Sequence, residues 1–352
     1  LPLQKEEVIE IANLYINESS IFPLLRSSSG IASLIEKRWN HLKNPLYLRF
    51  YLNLLERNGG EEKEIGKHGE QLFAEYYEML CRDEEIQYLL HTVCMKMIEE
   101  VRSASLRLEQ LTDIVMKYRE LSHNRNNAFY TDPLEKLLSE GIVDKRIRSA
   151  IGEAPEELIS FNQQFFLEYA IFRYLQDAHK EPTKVILSDL LNSETNFDEY
   201  NGGLSLLINQ IWNEEKMEII AGVTLTEEKE QRFRQVLADA IFDELESKID
   251  NKDDYAGIKA IAEDYERKLG LLIAKIDNES ILYQLSQILL WNARERFRDR
   301  VGGFLIHKAS AEESNSVSDK LYKRNPDSAE YARDVSISYN NVGNIQQSMG
   351  DT

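Results

Sequence analysis

The chain of 352 residues is long enough to bury two or more hydrophobic cores, because single domains usually stop growing at shorter lengths. Its 61 acidic and 42 basic residues leave a formal charge of -19 at neutral pH, which repels phosphate backbones and argues against a duplex-binding protein. Hydrophobic residues make up 42% of the chain, which suffices for folding. We therefore expect several helical modules in series.

The cysteines and the apolar runs bear on the cellular compartment. Cys81 and Cys94 are the only cysteines and offer no disulfide framework, as is usual in a reducing compartment. No apolar run approaches the roughly 20 residues that cross a bilayer, and Leu1 to Lys5 lack the features of a signal peptide. We predict a cytoplasmic protein with no membrane association. The start without Met, and an end where a helical hairpin would turn, predict a segment of a longer chain.

Turn signals divide the chain before residue 180 into short units. Hydrophobic spacing predicts helices over residues 4–19, 31–41, 45–57, 68–81, 86–103, 106–119 and 130–140. Val143 to Ile151 and Glu157 to Phe161 then form two short segments around a turn at Gly152 to Pro155, which is the pattern of a β-hairpin. With a further helix over residues 164–178, this order predicts a winged-helix unit.

The second part of the chain is predicted to be a helical array, since no proline occurs between Pro182 and Pro326. One buried stripe recurs at spacings of three and four: Ile258, Ile261, Tyr265, Leu269, Leu272 and Ile276. Thr224 and Glu227 are predicted to form a capping box that opens a helix. Connectors are predicted at Asn201 to Gly203 and at Asn251 to Asp254. The fold class predicted from the whole sequence is mainly α.

Three local patterns resemble the part of a STAND-class NTPase, in the NACHT branch, that follows the nucleotide-binding core. In the first, Asn44 and Pro45 open the helix of residues 45–57. They resemble the end of the ATPase core and its helical lid, where the family's proline lies against the nucleotide base. Pro45 is equally explained as an ordinary helix start, because its missing N–H would be unpaired in the first turn anyway.

The second pattern, Ile159 to Ala170, is similar to the last helix of the NACHT winged-helix domain. Gln163 stands where many family members have a histidine that reaches the phosphates of bound ADP. A glutamine can donate an uncharged hydrogen bond but supplies no positive charge, so the departure weakens nucleotide sensing at this position. Phe165, Phe166 and Tyr169 are interpreted as core residues.

The third pattern is the tail from Asn325 to Asp351, which looks like the first helix of a tetratricopeptide repeat. Tyr339, Val342 and Gly343 would occupy its packing positions, and Gly343 would let the partner helix approach closely. Such repeats need neighbours to bury their faces, so more repeats are expected to follow in the parent protein.

The resemblance implies four regions: the end of an ATPase core with a helical lid (1–58), a winged-helix-like domain (59–180), a helical spacer (181–324) and the start of a repeat array (325–352). It implies a regulatory segment that couples recognition of a protein ligand by the repeats to ATP-dependent homo-oligomerisation and effector activation. In bacterial relatives this serves antiphage defence. ATP or ADP and Mg belong to the parent protein. This segment would hold no cofactor, metal or catalytic site of its own.

Other readings of the sequence remain open. No glycine-rich loop followed by Lys and Ser or Thr is present to cradle phosphates. A caspase-like protease would use His68 with Cys81 or Cys94, and His91 with Cys94 would supply two zinc ligands, but both cysteines lie in helical pattern.

Two non-catalytic alternatives also stand. Lys145, Arg146 and Arg148 could serve a winged helix that binds nucleic acid, or could instead pair across the hairpin with Glu153, Glu156 and Glu157. A tetratricopeptide scaffold or adaptor with no ATPase relation predicts the same tail and the same array. The sequence preceding Leu1 in the full reading frame would discriminate between this scaffold and the NTPase.

Overall fold

The computed structural model describes residues 4–18, 42, 45–57, 69–122, 132–148, 155–250, 255–297 and 302–348. Within these ranges the protein is mainly α-helical with one small sheet, as the sequence predicted. None of the described helices combines the length and the apolar character needed to cross a bilayer. The chain divides into two compact units, Leu1–Met97 with Ala104–Ala170, and Ile98–Ser103 with Ile171–Thr352. The predicted helix at 31–41 and the connector at Asn251 to Asp254 lie outside the described residues.

The helices of the first unit begin where the sequence supplies caps. Asp83 precedes one of them, and its carboxylate accepts hydrogen bonds from the backbone N–H groups of the first turn. Asp132 caps another helix in the same way, and Pro133 follows it at the first helical position. The helices are α1 (Lys5–Glu18), α2 (Pro45–Arg57), α3 (Gly69–Leu80), α4 (Glu84–Met95), α5 (Leu108–Ser122) and α6 (Pro133–Ser139). A short π-helix, Lys96–Val101, continues α4.

One antiparallel sheet completes this unit, with strands β1 (Ser105–Arg107), β2 (Val143–Arg148) and β3 (Glu156–Phe161) in the order β1-β3-β2. The predicted hairpin is β2 with β3, and their register places Val143 opposite Phe161. Strand β1 was missed, because the sequence analysis began a helix at residue 106. Three residues are too few for an alternating pattern to stand out. The order helix, strand, two helices and hairpin is that of a winged helix.

The winged-helix turn after α6 depends on Gly141. This residue has φ = +66°, a left-handed conformation that glycine adopts without strain. The N–H of Ile142 reaches back to the carbonyl of Leu137 at 3.0 Å, and Asn162 donates its backbone N–H to the carbonyl of Ile142 at 2.9 Å. The end of α6 is thereby fixed to the end of the hairpin.

The second unit is a two-layer array of helices. Its helices are α8 (Lys184–Asn192), α9 (Asp198–Asn213), α10 (Met217–Ala221), α11 (Glu230–Asp250), α12 (Tyr255–Lys275), α13 (Glu279–Phe297), α14 (Gly303–Arg324) and α15 (Ala329–Ser348). The preceding helix α7 (Gln164–Ala178) contains the boundary between the two units.

Helices α8 to α14 pack against the second helix along the chain, and α14 also packs closely against its neighbours α13 and α15. One layer contains α8, α10, α12 and α14, and the other contains α9, α11 and α13. Helix α15 extends the latter layer, because the ring of Tyr331 lies 6.3 Å from that of Tyr283 on α13. The predicted stripe from Ile258 to Ile276 is buried between the layers except for Ile261, which is half-buried. Stacked helix pairs of this kind form the extended arrays of repeat proteins.

Two local predictions for the array are wrong. The predicted connector from Asn201 to Gly203 lies within α9, because the buried side chains around it, such as Tyr200 and Leu204, outweigh the poor helix propensity of glycine. The predicted capping box is not formed either. Ser188 and Asn192 of α8 bind the backbone of residues 224 and 226 instead, and the helical turn begins only at residue 227.

Gly302 and Gly270 offer a matched test of the array's packing. Gly302 has φ = +71°, and an added Cβ would lie 2.6 Å from Cγ2 of Ile258. Gly302→Ala should therefore lower the free energy of unfolding by about 2 kcal/mol or more. Gly270, within α12, has nothing within 4 Å of an added Cβ, so Gly270→Ala should raise stability by about 0.5–1 kcal/mol. Urea denaturation measures both, and equal effects would contradict the packing of α12 against Gly302.

Candidate functional site

The predicted nucleotide-facing residues lie at the starts of two helices of the first unit. Pro45 is the first residue of α2 and is exposed. Gln163 is half-buried directly before α7, where its carbonyl accepts the N–H of Leu167 at 3.3 Å. Asn44, the third predicted residue, lies outside the described residues.

Phe73 of α3 brings these two helix starts together. The ring of Tyr47, in the first turn of α2, meets the ring of Phe73 edge-on with centroids 5.0 Å apart. The ring of Phe165, in the first turn of α7, lies 5.5 Å from the same ring. The first N–H groups of a helix have no partner within it, and together with the helix dipole they favour a negatively charged group. The starts of α2 and α7 thus meet at one aromatic residue and form a corner there.

A polar cluster beside this corner was missed by the sequence analysis. Arg49 of α2 donates from Nη2 to the carbonyl of Ser139 at 3.1 Å and to the carboxylate of Glu140 at 3.0 Å. The hydroxyl of Tyr76 on α3 donates to the same Glu140 oxygen at 2.9 Å. The cluster joins α2, α3 and the end of α6. Its members are up to 91 positions apart along the chain, so no local pattern could reveal it.

Tyr76 is the buried member of this cluster, whereas the side chains of Arg49 and Glu140 are partly exposed. The ring of Phe50 stacks on that of Tyr76 with centroids 4.0 Å apart. Burial is the main reason that the pKa of Tyr76 is raised well above its ordinary value, and the charge of Glu140 adds to the effect. Tyr76 therefore stays protonated and continues to donate its hydrogen bond to Glu140 at neutral pH.

The charges of the winged helix do not form one basic face. Helix α6 occupies the place of the helix that DNA-binding proteins of this type insert into the major groove. Its Lys136 donates to Asp83 at 3.0 Å. Burial opposes the ionisation of Asp83, but Lys136 and two backbone N–H groups outweigh it and lower the pKa of that carboxyl. Helix α6 thus presents Glu135 while its lysine is engaged.

The basic residues of the hairpin, Lys145, Arg146 and Arg148, are exposed on the edge strand β2. The register places Arg148 opposite Glu156, whose carboxylate forms an ion pair with Arg107 of β1. Strand β1, which the sequence analysis missed, thus supplies Arg107 as the ion-pair partner of Glu156.

The aromatic residues at the start of α7 differ in burial. Phe166 is fully buried, as predicted. Phe165 and Tyr169 are only half-buried, so the prediction that all three are plain core residues is wrong for these two. The hydroxyl of Tyr169 lies 3.2 Å from a carboxylate oxygen of Glu78. A tyrosine commonly lies at the edge of a core so that its hydroxyl can reach such a partner.

The two cysteines differ in burial, since Cys81 is half-buried and Cys94 lies in the core. Cys94 is fully buried, and burial raises the pKa of its thiol far above the ordinary range, which keeps it protonated. His68, the histidine of the protease hypothesis, lies outside the described residues. In the described part of the chain, no three His, Cys, Asp or Glu side chains are grouped as a metal site requires. His91 with Cys94 therefore gains no third ligand there.

The predicted repeat-packing residues are not buried against α14, although the hydroxyl of Tyr339 donates to Asp319 of that helix at 3.2 Å. Tyr339 is 53% exposed and Gly343 has nothing within 4 Å of an added Cβ. Val342 is half-buried. The side of α15 that packs on α14 includes Ser338, whose hydroxyl donates to Asn315 at 2.9 Å. The packing predicted for Tyr339 and Gly343 requires a further helix after Ser348, and it stays a prediction.

No family model matches this sequence, and comparisons with curated proteins and with solved structures find no match either. The site is therefore interpreted from its own geometry and from the local sequence resemblance.

The bond between Tyr76 and Glu140 can be measured with a double-mutant cycle. Tyr76→Phe should cost about 1–2 kcal/mol at neutral pH, because it removes a hydrogen bond to a charged, partly buried carboxylate. The same change should be nearly neutral when Glu140 is already alanine. Glu140→Gln, which keeps an acceptor, should retain most of the coupling. An equal cost of Tyr76→Phe in both backgrounds would show that the bond contributes nothing.

The raised pKa of Tyr76 also predicts how the free energy of unfolding changes with pH. A raised folded-state pKa gives stability that is complete below the unfolded tyrosine pKa of about 10 and is lost as the pH rises through the folded value. The wild-type protein should therefore lose stability above about pH 10 more steeply than Tyr76→Phe.

Proposed function

We propose that this chain is the regulatory segment of a STAND-class NTPase. In this proposal the repeats recognise a protein ligand, and the array transmits that event to the winged helix and lid. The nucleotide-bound parent then assembles into a homo-oligomer and activates its effector. A role in bacterial antiphage defence follows from the same resemblance.

The observation that supports the proposal most directly is the order of modules. A helical segment, a winged helix with sheet order β1-β3-β2 and a two-layer helical array follow one another. This is the order that the resemblance implies between an NTPase core and a sensor. A scaffold made only of repeats gives no reason for a winged helix ahead of the array.

The corner at Phe73 adds a second line of support. Tyr47 and Phe165 both contact this ring, and each lies two residues after a predicted nucleotide-facing position, Pro45 or Gln163. These positions were chosen from two separate sequence patterns. Contact of their neighbours Tyr47 and Phe165 with one side chain supports a shared ligand for the two positions.

The missing phosphate loop gives a direct test. The isolated chain should bind ATP more weakly than a dissociation constant of about 1 μM, which corresponds to roughly 8 kcal/mol, because only lid and winged-helix contacts remain. Calorimetric titration measures this, with the full-length parent as the control that should bind. Tight binding by the isolated chain would reveal a complete nucleotide site within it. If the parent's reading frame encodes no phosphate loop before Leu1, the proposal is wrong.

The coupling role of the array can be tested by inserting a flexible segment between two of its helices. Asp277 connects α12 to α13, and Arg324 of α14 donates to its carbonyl at 2.6 Å. A Gly/Ser segment inserted after Asp277 should leave ligand binding intact and abolish ligand-triggered assembly, since a flexible linker does not transmit a rotation. Mass photometry of the full-length protein with its ligand and ATP measures assembly. Asp277→Gly is the control, because it removes the Asp277 side chain without changing the length of the chain. Assembly equal to wild type would make the array a passive tether.

The alternative is a helical-repeat scaffold or adaptor for protein–protein interaction. The continuous layer of α9, α11, α13 and α15 favours it, because a repeat array can act on its own as an extended binding surface. It predicts a partner that binds with or without nucleotide.

A further inference from the structure

A cavity of about 320 Å³ lies in the array between α9, α11 and α12. Its apolar wall is formed by Trp212, Ile241, Leu245, Ile261 and Tyr265. At roughly 30 Å³ per water molecule, the volume corresponds to about ten waters, and it lies at the small end of the range for small-molecule sites. The cavity is remote in sequence from the predicted nucleotide-facing residues and plays no part in the proposed function.

The polar side of this cavity is a continuous chain of hydrogen bonds from three helices. Glu244 of α11 forms an ion pair with Lys248 and accepts the amide N–H of Asn213 at 2.7 Å. The amide oxygen of Asn213 in turn accepts from Lys268 of α12 at 3.1 Å, and Lys268 lies 3.3 Å from Asp264. One asparagine thereby fixes a carboxylate and an ammonium group side by side.

The hydrogen-bonded side chains of this cavity carry two acidic and two basic groups that contact one another. Lys268 is 94% buried, yet it keeps its ammonium group next to Asp264 and Asn213. Burial opposes the ionisation of Glu244, but hydrogen bonds from Lys248, Asn213 and Asn209 outweigh it and lower the pKa of its carboxyl. The cavity is therefore lined by two acidic side chains, Glu244 and Asp264, and two basic ones, Lys248 and Lys268.

Lys268 and Asp264 retain hydrogen-bonding capacity beyond the bonds described. An ammonium group has three donors, and Lys268 uses two of them on Asp264 and Asn213. A carboxylate offers about four acceptor positions, and Asp264 receives Arg267 on one oxygen and Lys268 on the other. The wall can thus accept hydrogen bonds from a ligand's cationic group and donate to its anionic group at adjacent points, with an aromatic surface beside them.

We infer that this cavity binds a free α-amino acid with a large apolar side chain. Its ammonium group would meet Glu244 and Asp264, its carboxylate would meet Lys268 and Lys248, and its side chain would lie against the apolar wall that contains Trp212.

Charge complementarity favours a zwitterion over the other ligand classes. A ligand with a single charge gains from one half of the polar chain and is opposed by the other half. A neutral ligand would displace water from four ionised groups without replacing its hydrogen bonds, which costs free energy. A ligand that carries both charges on groups attached to one carbon matches both halves, and the α-amino acid is the simplest such molecule with an apolar side chain.

The test uses the full chain and four probes that share one body: phenylalanine, phenylalaninamide, N-acetylphenylalanine and N-acetylphenylalaninamide. Isothermal titration calorimetry should show binding of phenylalanine at least tenfold tighter than that of each blocked form. Glycine, which lacks the apolar side chain, should bind too weakly to detect. No binding of phenylalanine at millimolar concentration, or equal binding of the neutral probe, would overturn the inference.

Substitutions of the polar side chains test the recognition of each ligand charge separately. Asp264→Asn should weaken phenylalanine about tenfold and leave N-acetylphenylalanine unchanged, because only the former carries an ammonium group. Lys268→Met keeps the apolar stem and should weaken phenylalanine while leaving phenylalaninamide unchanged. Glu263→Gln is the matched control, since Glu263 is exposed on the same helix and pairs with Lys259 at 3.6 Å. Circular dichroism checks that each variant is folded.

A substitution that fills the cavity gives an independent test of the site. Ile261 is half-buried in the cavity wall, and Ile261→Phe should abolish phenylalanine binding without changing any charge. Unaltered binding in this variant, or equal losses in Asp264→Asn and the Glu263→Gln control, would place the ligand elsewhere and refute the site. None of these outcomes depends on nucleotide or on oligomerisation, so they are distinguishable from failure of the proposed function.

Discussion

Each long helix of the array has to bury an apolar stripe, and no single neighbour can cover it. The stripe of α12 from Ile258 to Ile276 meets α10 and α14 within its own layer, and the stripe of α13 meets α11 in the other layer. Burial of such side chains contributes roughly 1.5–3 kcal/mol each, which makes stacking the main source of stability. The array therefore holds together through its layers, and a change in one helix pair is felt by the next.

Polar contacts between the layers fix how the helices meet. Arg232 of α11 is 92% buried and donates to the carbonyls of Leu191 and Ser193 at the end of α8, and to Asn201 of α9. Its guanidinium also lies 5.1 Å from the ring centre of Tyr200. A planar cation with five donors can satisfy several helix ends at once. Such contacts are geometrically demanding, so they specify one arrangement where apolar packing alone would tolerate several.

The first unit is organised differently, around aromatic rings and one carboxylate. The ring of Phe73 contacts Tyr47 at the start of α2 and Phe165 at the start of α7. The carboxylate of Glu140 accepts hydrogen bonds from Arg49 and Tyr76. In the proposed function, the first set faces the nucleotide and the second ties the lid helix to the winged helix. Nucleotide-dependent movement of the lid would then have to break or carry along the Glu140 contacts. The second unit is thus held by layer packing, and the first by aromatic contacts and the Glu140 cluster.

The sequence by itself determined the helix positions, because hydrophobic periodicity is a local property. Helices over residues 45–57 and 164–178 and the hairpin before the latter are found with few differences. It did not determine what depends on distant partners. The turn predicted at Asn201 to Gly203 became helix through the packing of its neighbours, and Ser188 with Asn192 replaced the predicted cap. The two-layer order, the Glu140 cluster and the cavity beside Lys268 exist only where residues far apart in sequence meet.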